Sequence, residues 1–111
     1  MVTDMKEKMI ANNAEPAVAT HPGEIVKDEI DARGISQRKL AQTMGVSYSQ
    51  LNEVLNGKRP INTELALLIE AALDLPATPL LSMQTRYNLL TAKRDKSLTS
   101  RLKSIRKIAA L

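Results

Sequence analysis

The fold prediction rests on residues 36–61, which read SQRKLAQTMGVSYSQLNEVLNGKRPI. It contains two short segments with apolar residues at helical spacing, separated by Gly45-Val46-Ser47. Ser36 and Ser47 each precede one segment, where a serine hydroxyl can cap the free N–H groups of a helix start. Gly45 adopts positive φ at low cost, as a helix C-terminus often requires. We therefore predict two helices joined by a very short turn.

The short connection constrains how these two helices pack. It forces a steep crossing, with the second helix standing out from the body of the domain. A close crossing needs a small residue, which Ala41 provides. The corner also needs apolar residues on both helices and in the turn, which are Leu40, Met44, Val46, Leu51 and Val54. Because a generic helical hairpin meets only one or two of these demands, we interpret the stretch as a helix-turn-helix.

Further helices are predicted on both sides of this pair. The first covers about residues 22–33, because Pro22 suits a first helical position and Gly34 supplies a C-terminal stop. A fourth helix follows an Asn62 cap and carries apolar residues at helical spacing. No stretch alternates with period 2 for long enough to be a strand. The predicted fold class is therefore all-α.

The start of a fifth helix stays open in the sequence. It begins either at Pro76 or after a Thr78 cap with Pro79 as its first residue, and it runs to about Lys93. Its apolar residues exceed what a four-helix core can cover. We expect the surplus to support a homodimer, and the residues concerned are Leu80, Leu81, Met83, Leu89 and Leu90.

Composition divides the chain into three parts. Residues 1–20 show no sustained period and are predicted to be a flexible arm, with ordering by a partner as the alternative. Residues 21–92 form the predicted helix-turn-helix domain. Residues 93–111 form a basic helical tail, expected to support DNA binding or to fold back on its apolar face, which carries Leu98, Leu102, Ile105 and Ala109.

The net charge of the 111 residues is +4, and it is unevenly spread. Residues 93–107 hold seven basic residues against Asp95, which leaves the rest of the chain with nine basic and eleven acidic residues. The overall charge therefore does not identify the helical core as a DNA binder. Aromatic residues make up only 2% of the chain, which argues against the base-stacking surfaces of single-strand binders.

Several other protein classes are excluded by what the sequence lacks. It has no cysteine for disulfides or thiolate metal sites, no apolar run of the roughly 20 residues that a membrane helix needs, and no secretory signal. His21 is the only histidine and is interpreted as a helix-entry residue. There is no glycine-rich phosphate loop. We expect a soluble, cytoplasmic protein that is not an enzyme and holds no metal or cofactor.

Short polar side chains lie on the outward side of the second helix of the pair. Tyr48, Ser49, Asn52 and Glu53 point away from its apolar stripe. Such side chains reach base edges in a major groove, and an asparagine can bind adenine by two hydrogen bonds. Glu53 is the weakest candidate, because phosphates repel it unless it accepts from a cytosine amine. The alternative is an ordinary solvated face.

Phosphate contacts have separate candidates around the same end of the domain. Gln37 stands at the start of the first helix of the pair, where free backbone N–H groups also point. Residues 36–62 hold four basic residues against one acid, whereas residues 22–33 hold four acids against two bases. The remaining candidates are Arg38, Lys39, Asn56, Lys58 and Arg59.

Residues 36–41 (SQRKLA) and 55–61 (LNGKRPI) resemble the phage lambda repressor/Cro-like, or XRE-type, helix-turn-helix domains. With residues 21–25 (HPGEI) before them and residues 84–89 (QTRYNL) after them, they resemble the HigA-type antitoxins of bacterial toxin–antitoxin modules. The resemblance covers about residues 20–92. Many members have an aromatic pair near the start of the fifth helix, where this chain has Pro79-Leu80.

The resemblance implies a lambda repressor-like five-helix fold with a C-terminal helical extension. It also implies a dimer that binds operator DNA, represses its own operon and neutralises a cognate, HigB-like RNA-cleaving toxin. By resemblance, Asn56 and Lys58 fall at positions that contact the DNA backbone. The positions that contact bases would be Gln37, Ser47, Tyr48, Ser49 and Asn52.

The charge of the first helix suggests where a toxin would dock. A toxin is predicted to dock on the acidic side of the domain, which is the arm of residues 1–20 and the first helix, with a solvated face as the alternative. The carboxylates expected to attract a basic partner are those of Glu24, Asp28, Glu29 and Asp31. Two other functions stay open on the sequence alone. One is a stand-alone or phage-type repressor without a toxin partner. The other is a helical adaptor that binds only protein.

Overall fold

The computed structural model describes residues 19–109. This part of the chain contains six α-helices and no strand, which confirms the all-α prediction. Residues 20–88 form one compact unit, and residues 89–109 belong to a second. The predicted flexible arm lies outside the described residues except at its last two positions. The helices are α1 (Pro22–Arg33), α2 (Gln37–Met44), α3 (Tyr48–Leu55), α4 (Thr63–Leu73), α5 (Ala77–Lys93) and α6 (Lys96–Ile108).

The predicted caps of the central helices are confirmed. Ser36 Oγ accepts a hydrogen bond from the Lys39 amide at 3.1 Å, and Ser47 Oγ accepts one from the Gln50 amide at 3.0 Å. Gly45 ends α2 with φ 72°, in the left-handed region that glycine adopts without strain. Each such cap stabilises a helix by about 1 kcal/mol. Together they fix the turn between α2 and α3.

The start of α5 differs from both alternatives that the sequence suggested. The helix begins at Ala77, with neither Pro76 as its first residue nor Thr78 as its cap. The carboxylate of Glu70 in α4 instead accepts a hydrogen bond from the Ala77 amide at 2.7 Å. A carboxylate at this end also opposes the positive end of the helix dipole. The cap thus comes from the preceding helix, out of reach of a local sequence pattern.

A single apolar core joins α1 to the first turn of α5. The residues predicted for the corner between α2 and α3 are buried, except that Val46 in the turn is only partly buried. Each fully buried leucine or valine contributes roughly 1.5–3 kcal/mol by leaving water. The largest side chains with almost no exposure are Ile30, Leu51, Leu55, Ile61, Ile69, Leu73, Val26 and Val54.

Backbone contact at Gly23 sets the distance between α1 and α3. A Cβ atom at this position would overlap the carbonyl oxygen of Val54, so only glycine lets the start of α1 lie directly against α3. The end of α3 is therefore held by α1 as well as by α2. Within the described residues no helix is long and apolar enough to cross a membrane.

The second unit contains the end of α5 and the whole of α6. Asp95 caps α6 by accepting hydrogen bonds from the amides of Ser97 and Leu98, at 2.9 and 3.2 Å. None of the residues of α6 is buried. Ile105 is 50% exposed and Ile108 is 81% exposed, so the predicted amphipathic helix forms and leaves much of its apolar side uncovered.

Candidate nucleic-acid interface

The polar face of α3 is the centre of the candidate interface. Tyr48 at its first position is 40% exposed, Ser49 is exposed, and Asn52 and Glu53 one turn later are half-buried. The apolar stripe of the same helix is fully inside the core. The placement predicted from the sequence is therefore confirmed for these four side chains: one side of α3 holds the fold, and the other is available to a ligand.

A hydrogen-bonded row of amide side chains runs from α2 along α3. Asn52 Nδ2 donates to Gln37 Oε1 at 2.9 Å. Asn56 Nδ2 in turn donates to Asn52 Oδ1 at 3.2 Å and to the Asn52 carbonyl oxygen at 2.9 Å. An asparagine side chain offers two N–H donors and two acceptor lone pairs. One donor and one acceptor site of Asn52 therefore remain for a ligand, with the amide already oriented.

A cation–π contact fixes the start of α3. The Arg38 guanidinium carbon lies 4.6 Å from the centre of the Tyr48 ring. At partly exposed sites such a contact is worth about 0.5–1 kcal/mol, and it leaves the N–H groups in the guanidinium plane free to bind oxygen. Two residues predicted to contact DNA are thus coupled across the turn. The contact places a positive charge beside the recognition side chains.

The loop after α3 carries one paired and one unpaired cation. Arg59 Nη2 lies 3.0 Å from Glu53 Oε2, and its Nε donates to the same oxygen at 3.0 Å. Lys58 is exposed and forms no ion pair with the residues that the structure describes. Lys58 therefore presents its full charge to an anionic partner. The charge of Arg59 is offset by the carboxylate that the sequence marked as the weakest candidate.

The loop of residues 56–61 is held by side chains from distant parts of the chain. The His21 ring packs against Gly57, where a Cβ atom would lie 3.7 Å from the ring. Tyr87 of α5 meets this ring edge-on, with the centroids 4.9 Å apart. Gln84 Oε1 accepts a hydrogen bond from the Ile61 amide at 2.9 Å, and its Nε2 donates to Asn88 Oδ1. The separate HPGEI, LNGKRPI and QTRYNL motifs therefore meet at one loop.

His21 is the N-cap of α1 in its neutral form. Its Nδ1 accepts a hydrogen bond from the Gly23 amide at 2.9 Å, which requires an unprotonated nitrogen. Burial lowers the pKa of His21 below its usual value, while a hydrogen bond to the backbone of Arg59 and the charge of Glu24 oppose that shift. The interpretation as a helix-entry residue is confirmed. The described residues contain no cluster of histidine and acidic side chains that could hold a metal ion.

Gln84, Tyr87 and Asn88 are supporting residues that the site prediction missed. Gln84 is only 5% exposed, and its amide is hydrogen-bonded on both sides. The sequence contained one signal, because all three belong to the QTRYNL motif. That motif indicated a family and gave no role for its residues. Their role depends on contacts with a loop more than 20 residues earlier, which the structure supplies.

The acidic side chains of α1 line a groove that reaches the end of α3. Glu24, Asp28 and Asp31 border about 450 Å³ of space together with Lys27, Leu55 and Asn56. Glu29 does not line this groove, and Arg33 pairs with it at 2.7 Å. Three of the four carboxylates predicted to attract a toxin are therefore brought together on one surface, and the expectation for Glu29 is corrected. The groove adjoins Asn56, which the sequence places at a DNA-backbone position.

Several known proteins are similar to this chain in sequence. The helix-turn-helix family model matches residues 26–80. Virulence-associated protein I of Dichelobacter nodosus is 38% identical over 85 residues, which cover 76% of this chain and 77% of that protein. The matched region thus extends well beyond α2 and α3, into α5.

Two solved structures from Pseudomonas aeruginosa are also similar. One is a protein in complex with its 18-bp operator DNA, with a TM-score of 0.63, 32% identity, and coverage of 68% of this chain and 82% of that one. The other is the antitoxin HigA with the higBA promoter, with a TM-score of 0.68, 28% identity, and coverage of 85% of this chain and 100% of that one. The all-α fold is thus the expected lambda repressor-like arrangement. The chain belongs to the XRE-type helix-turn-helix family, and its structural neighbours include HigA-type antitoxins.

Proposed function

We propose that this protein is a sequence-specific, double-stranded DNA-binding antitoxin that represses its own operon and neutralises a HigB-like, RNA-cleaving toxin. One observation carries the DNA-binding part. On the polar face of α3, Asn52 is oriented by the hydrogen bond that it donates to Gln37 of α2, and the cations Arg38 and Lys58 border this face. The similar Pseudomonas aeruginosa structures on operator and promoter DNA support the same assignment.

In this function α3 enters the major groove. Ser49 and Asn52 contact base edges, with each paired set of hydrogen bonds worth about 1–3 kcal/mol of discrimination. Tyr48 and Ser47 lie at the start of the helix beside them, and Gln37 contacts phosphate at the start of α2. The charged and amide groups that anchor the DNA backbone are Arg38, Asn56, Lys58 and Arg59.

We also propose that a homodimer is the DNA-binding form. A single recognition helix covers only a few base pairs, which is too little for operator affinity. Two copies about 34 Å apart would place their recognition helices in successive major grooves on one side of the duplex. Leu80, expected to belong to the apolar surplus, is only 3% exposed and is part of the core. Leu89 on α5 is 55% exposed and supports the proposal that apolar surface is left for a second copy. A sedimentation measurement that gives a monomer both free and on DNA would contradict it.

The DNA-binding proposal is tested by titrations on matched and mismatched duplexes over a range of salt. Asn52→Ala should reduce discrimination at particular base pairs. Lys58→Ala should weaken binding to all sequences alike and lower the salt slope by about one. Equal losses on both duplexes for Asn52→Ala would remove this residue from the base-contacting set.

For the toxin, we propose docking on the acidic groove of α1. The three carboxylates attract a basic protein and increase its association rate, while buried apolar contacts supply most of the affinity. Because the three carboxylates lie on α1, a toxin centred on them would leave the polar face of α3 open to DNA. The protein could then hold toxin and operator together, as autoregulation by the complex requires.

The test is co-expression with the adjacent reading frame, followed by co-purification and rate measurements. Asp28→Lys combined with Asp31→Lys should slow toxin association, whereas Glu29→Gln, on the same helix but outside the groove, should not. A wild-type rate and affinity for the double variant would place the docking surface elsewhere. No co-purifying toxin would favour the stand-alone repressor.

A further inference from the structure

Helix α6 carries a dense and uncompensated positive charge. Five of its residues are basic and none is acidic. All five are exposed, and none forms an ion pair with a residue in the part of the chain that the structure describes. Cations in this state keep their full attraction for an anionic partner. They are Lys96, Arg101, Lys103, Arg106 and Lys107.

Three of these residues form a straight row. Lys96, Lys103 and Lys107 recur at intervals of seven and four, so they fall within about 40° of one another around an α-helix. They span about 16 Å along the helix axis. Ser100 lies on the same side between Lys96 and Lys103. We call these four residues the lysine face of α6.

A shallow cleft of about 370 Å³ lies at the junction of α5 and α6, at the N-terminal end of the lysine face. Lys93, Lys96 and Lys103 line it together with Thr99 and Ser100. Ammonium and hydroxyl groups are common donors to phosphate oxygens in protein–DNA complexes. The amides of Ser97 and Leu98 at the start of α6 already donate to Asp95, so the side chains provide the positive surface.

We propose that the lysine face binds the phosphate backbone of duplex DNA, as a sequence-independent contact separate from the polar face of α3. B-form DNA carries one negative charge per about 1.7 Å of helix axis, so a 16 Å row of lysines meets several phosphates. The contact rests on the proposed DNA-binding function and extends it. It adds affinity and salt dependence without adding base discrimination.

The polar, cation-bordered face of α3 in the same chain, and not the pattern of α6, favours DNA over a membrane surface. The apolar residues Leu98, Leu102 and Ile105 lie on the side of the helix opposite the lysine face. A helix in a bilayer interface also buries its apolar side and keeps its lysines at the head groups, so the amphipathic pattern of α6 fits both partners. Duplex DNA engages the lysine face alone and leaves the apolar side to protein contacts.

The test removes the row in the full-length chain by combining Lys96→Gln, Lys103→Gln and Lys107→Gln. Affinity for an operator duplex and a scrambled duplex is measured from low to high salt. We expect the slope of log K against log salt to fall by about 0.9 for each phosphate that the variant no longer neutralises, which is up to about 2.7 per chain. The affinity should decrease by the same factor on both duplexes.

The lysine-face pair Lys96→Gln and Lys103→Gln is also compared with a control that removes two charges outside the interface, Arg33→Gln combined with Arg86→Gln. The control should leave the slope at the wild-type value. Equal slopes for the two double variants would overturn the proposal, because net charge alone would then explain any decrease. Binding to anionic vesicles of phosphatidylserine and phosphatidylcholine gives a third measurement. Vesicle binding that disappears in the lysine variant, with an unchanged DNA slope, would assign the face to a membrane and overturn the DNA assignment.

A second variant keeps the test decisive if the triple variant loses helix content. Ser100→Glu places one carboxylate within the lysine face and should weaken binding to both duplexes. Wild-type affinity for Ser100→Glu would contradict the proposal. Failure of the proposed function can be told apart from failure of this proposal. If the wild-type protein binds operator and scrambled DNA equally, the proposed sequence-specific function fails. The comparison of the two double variants on scrambled DNA would still test the lysine face.

Discussion

Asn52 Nδ2 lies 2.9 Å from Gln37 Oε1, so the side chain that is proposed to contact bases is held by the first residue of α2. This hydrogen bond joins the two helices on the side that faces away from the core. It reduces the rotamer freedom that Asn52 would lose on binding, which is one source of affinity in a preorganised site. Gln37 therefore has two roles in the proposed complex, as a phosphate contact and as a positioning residue for Asn52.

Gln37→Ala should lower discrimination at the base pair that Asn52 contacts, because Asn52 then loses its orientation. The stability loss should be small, about 0.5–1.5 kcal/mol, because the bond is only partly buried. A double-mutant cycle of Gln37→Ala and Asn52→Ala on matched and mismatched duplexes measures the coupling between the two residues. Additive losses of discrimination would show that the two residues act independently.

Glu53→Gln should strengthen DNA binding and steepen its salt dependence. The substitution removes a carboxylate from the polar face of α3 and releases Arg59 from its ion pair, so one more cation can reach phosphate. Glu29→Gln is the matched control, since it releases Arg33 from an ion pair of similar exposure on α1. Weaker binding for Glu53→Gln would instead show that its carboxylate contacts a base or that the pair positions Arg59.

Gly23→Ala should destabilise the fold by about 1–3 kcal/mol, because the new methyl group overlaps the Val54 carbonyl and must push α1 away from α3. The shift of α3 should also reduce operator affinity. At Gly34 an added Cβ meets no atom within 4 Å, and the cost is only that of a left-handed backbone, about 1 kcal/mol. Urea unfolding of both variants compares the two effects. A larger loss for Gly34→Ala would argue against close packing at Gly23.

The sequence predicted those parts of the fold that depend on neighbouring residues. The caps at Ser36 and Ser47 involve amides three residues later, so a short pattern contains all the information. The cap of α5 joins Glu70 to Ala77, and the bond from Ile61 to Gln84 spans 23 residues. Such pairs form only after the helices pack, which a local pattern cannot specify.

The candidate interface was also only partly predictable from local sequence patterns. The identity and outward placement of its polar side chains followed from helical spacing. The pairing of these side chains could not be predicted from helical spacing. The hydrogen bond between Asn52 and Gln37 and the ion pair between Glu53 and Arg59 depend on how α2, α3 and the next loop are positioned. The hydrogen bond orients Asn52, and the ion pair decides how much of the charge of Arg59 is available to DNA.

His21 packs against the loop that carries Lys58 and Arg59, and its titration is expected to make the stability of the fold depend on pH. Its neutral ring accepts from the Gly23 amide, packs on Gly57 and meets Tyr87, and it is 3% exposed. Burial lowers the pKa in the folded state below the usual 6.5, although Glu24 and the Arg59 backbone oppose the shift. The folded protein therefore binds fewer protons than the unfolded chain between these two pKa values. In that window the free energy of unfolding decreases as the pH falls.

We therefore expect the unfolding free energy to decrease as the pH falls below about 6.5, before the carboxylates titrate. Since His21 is the only histidine in the chain, His21→Asn should flatten this part of the curve. Asparagine keeps an N-cap acceptor for the Gly23 amide and does not titrate. Urea unfolding at intervals of pH compares the wild-type protein with the variant. Equal slopes for the two proteins over this range would contradict the prediction, because another group would then control the acid response.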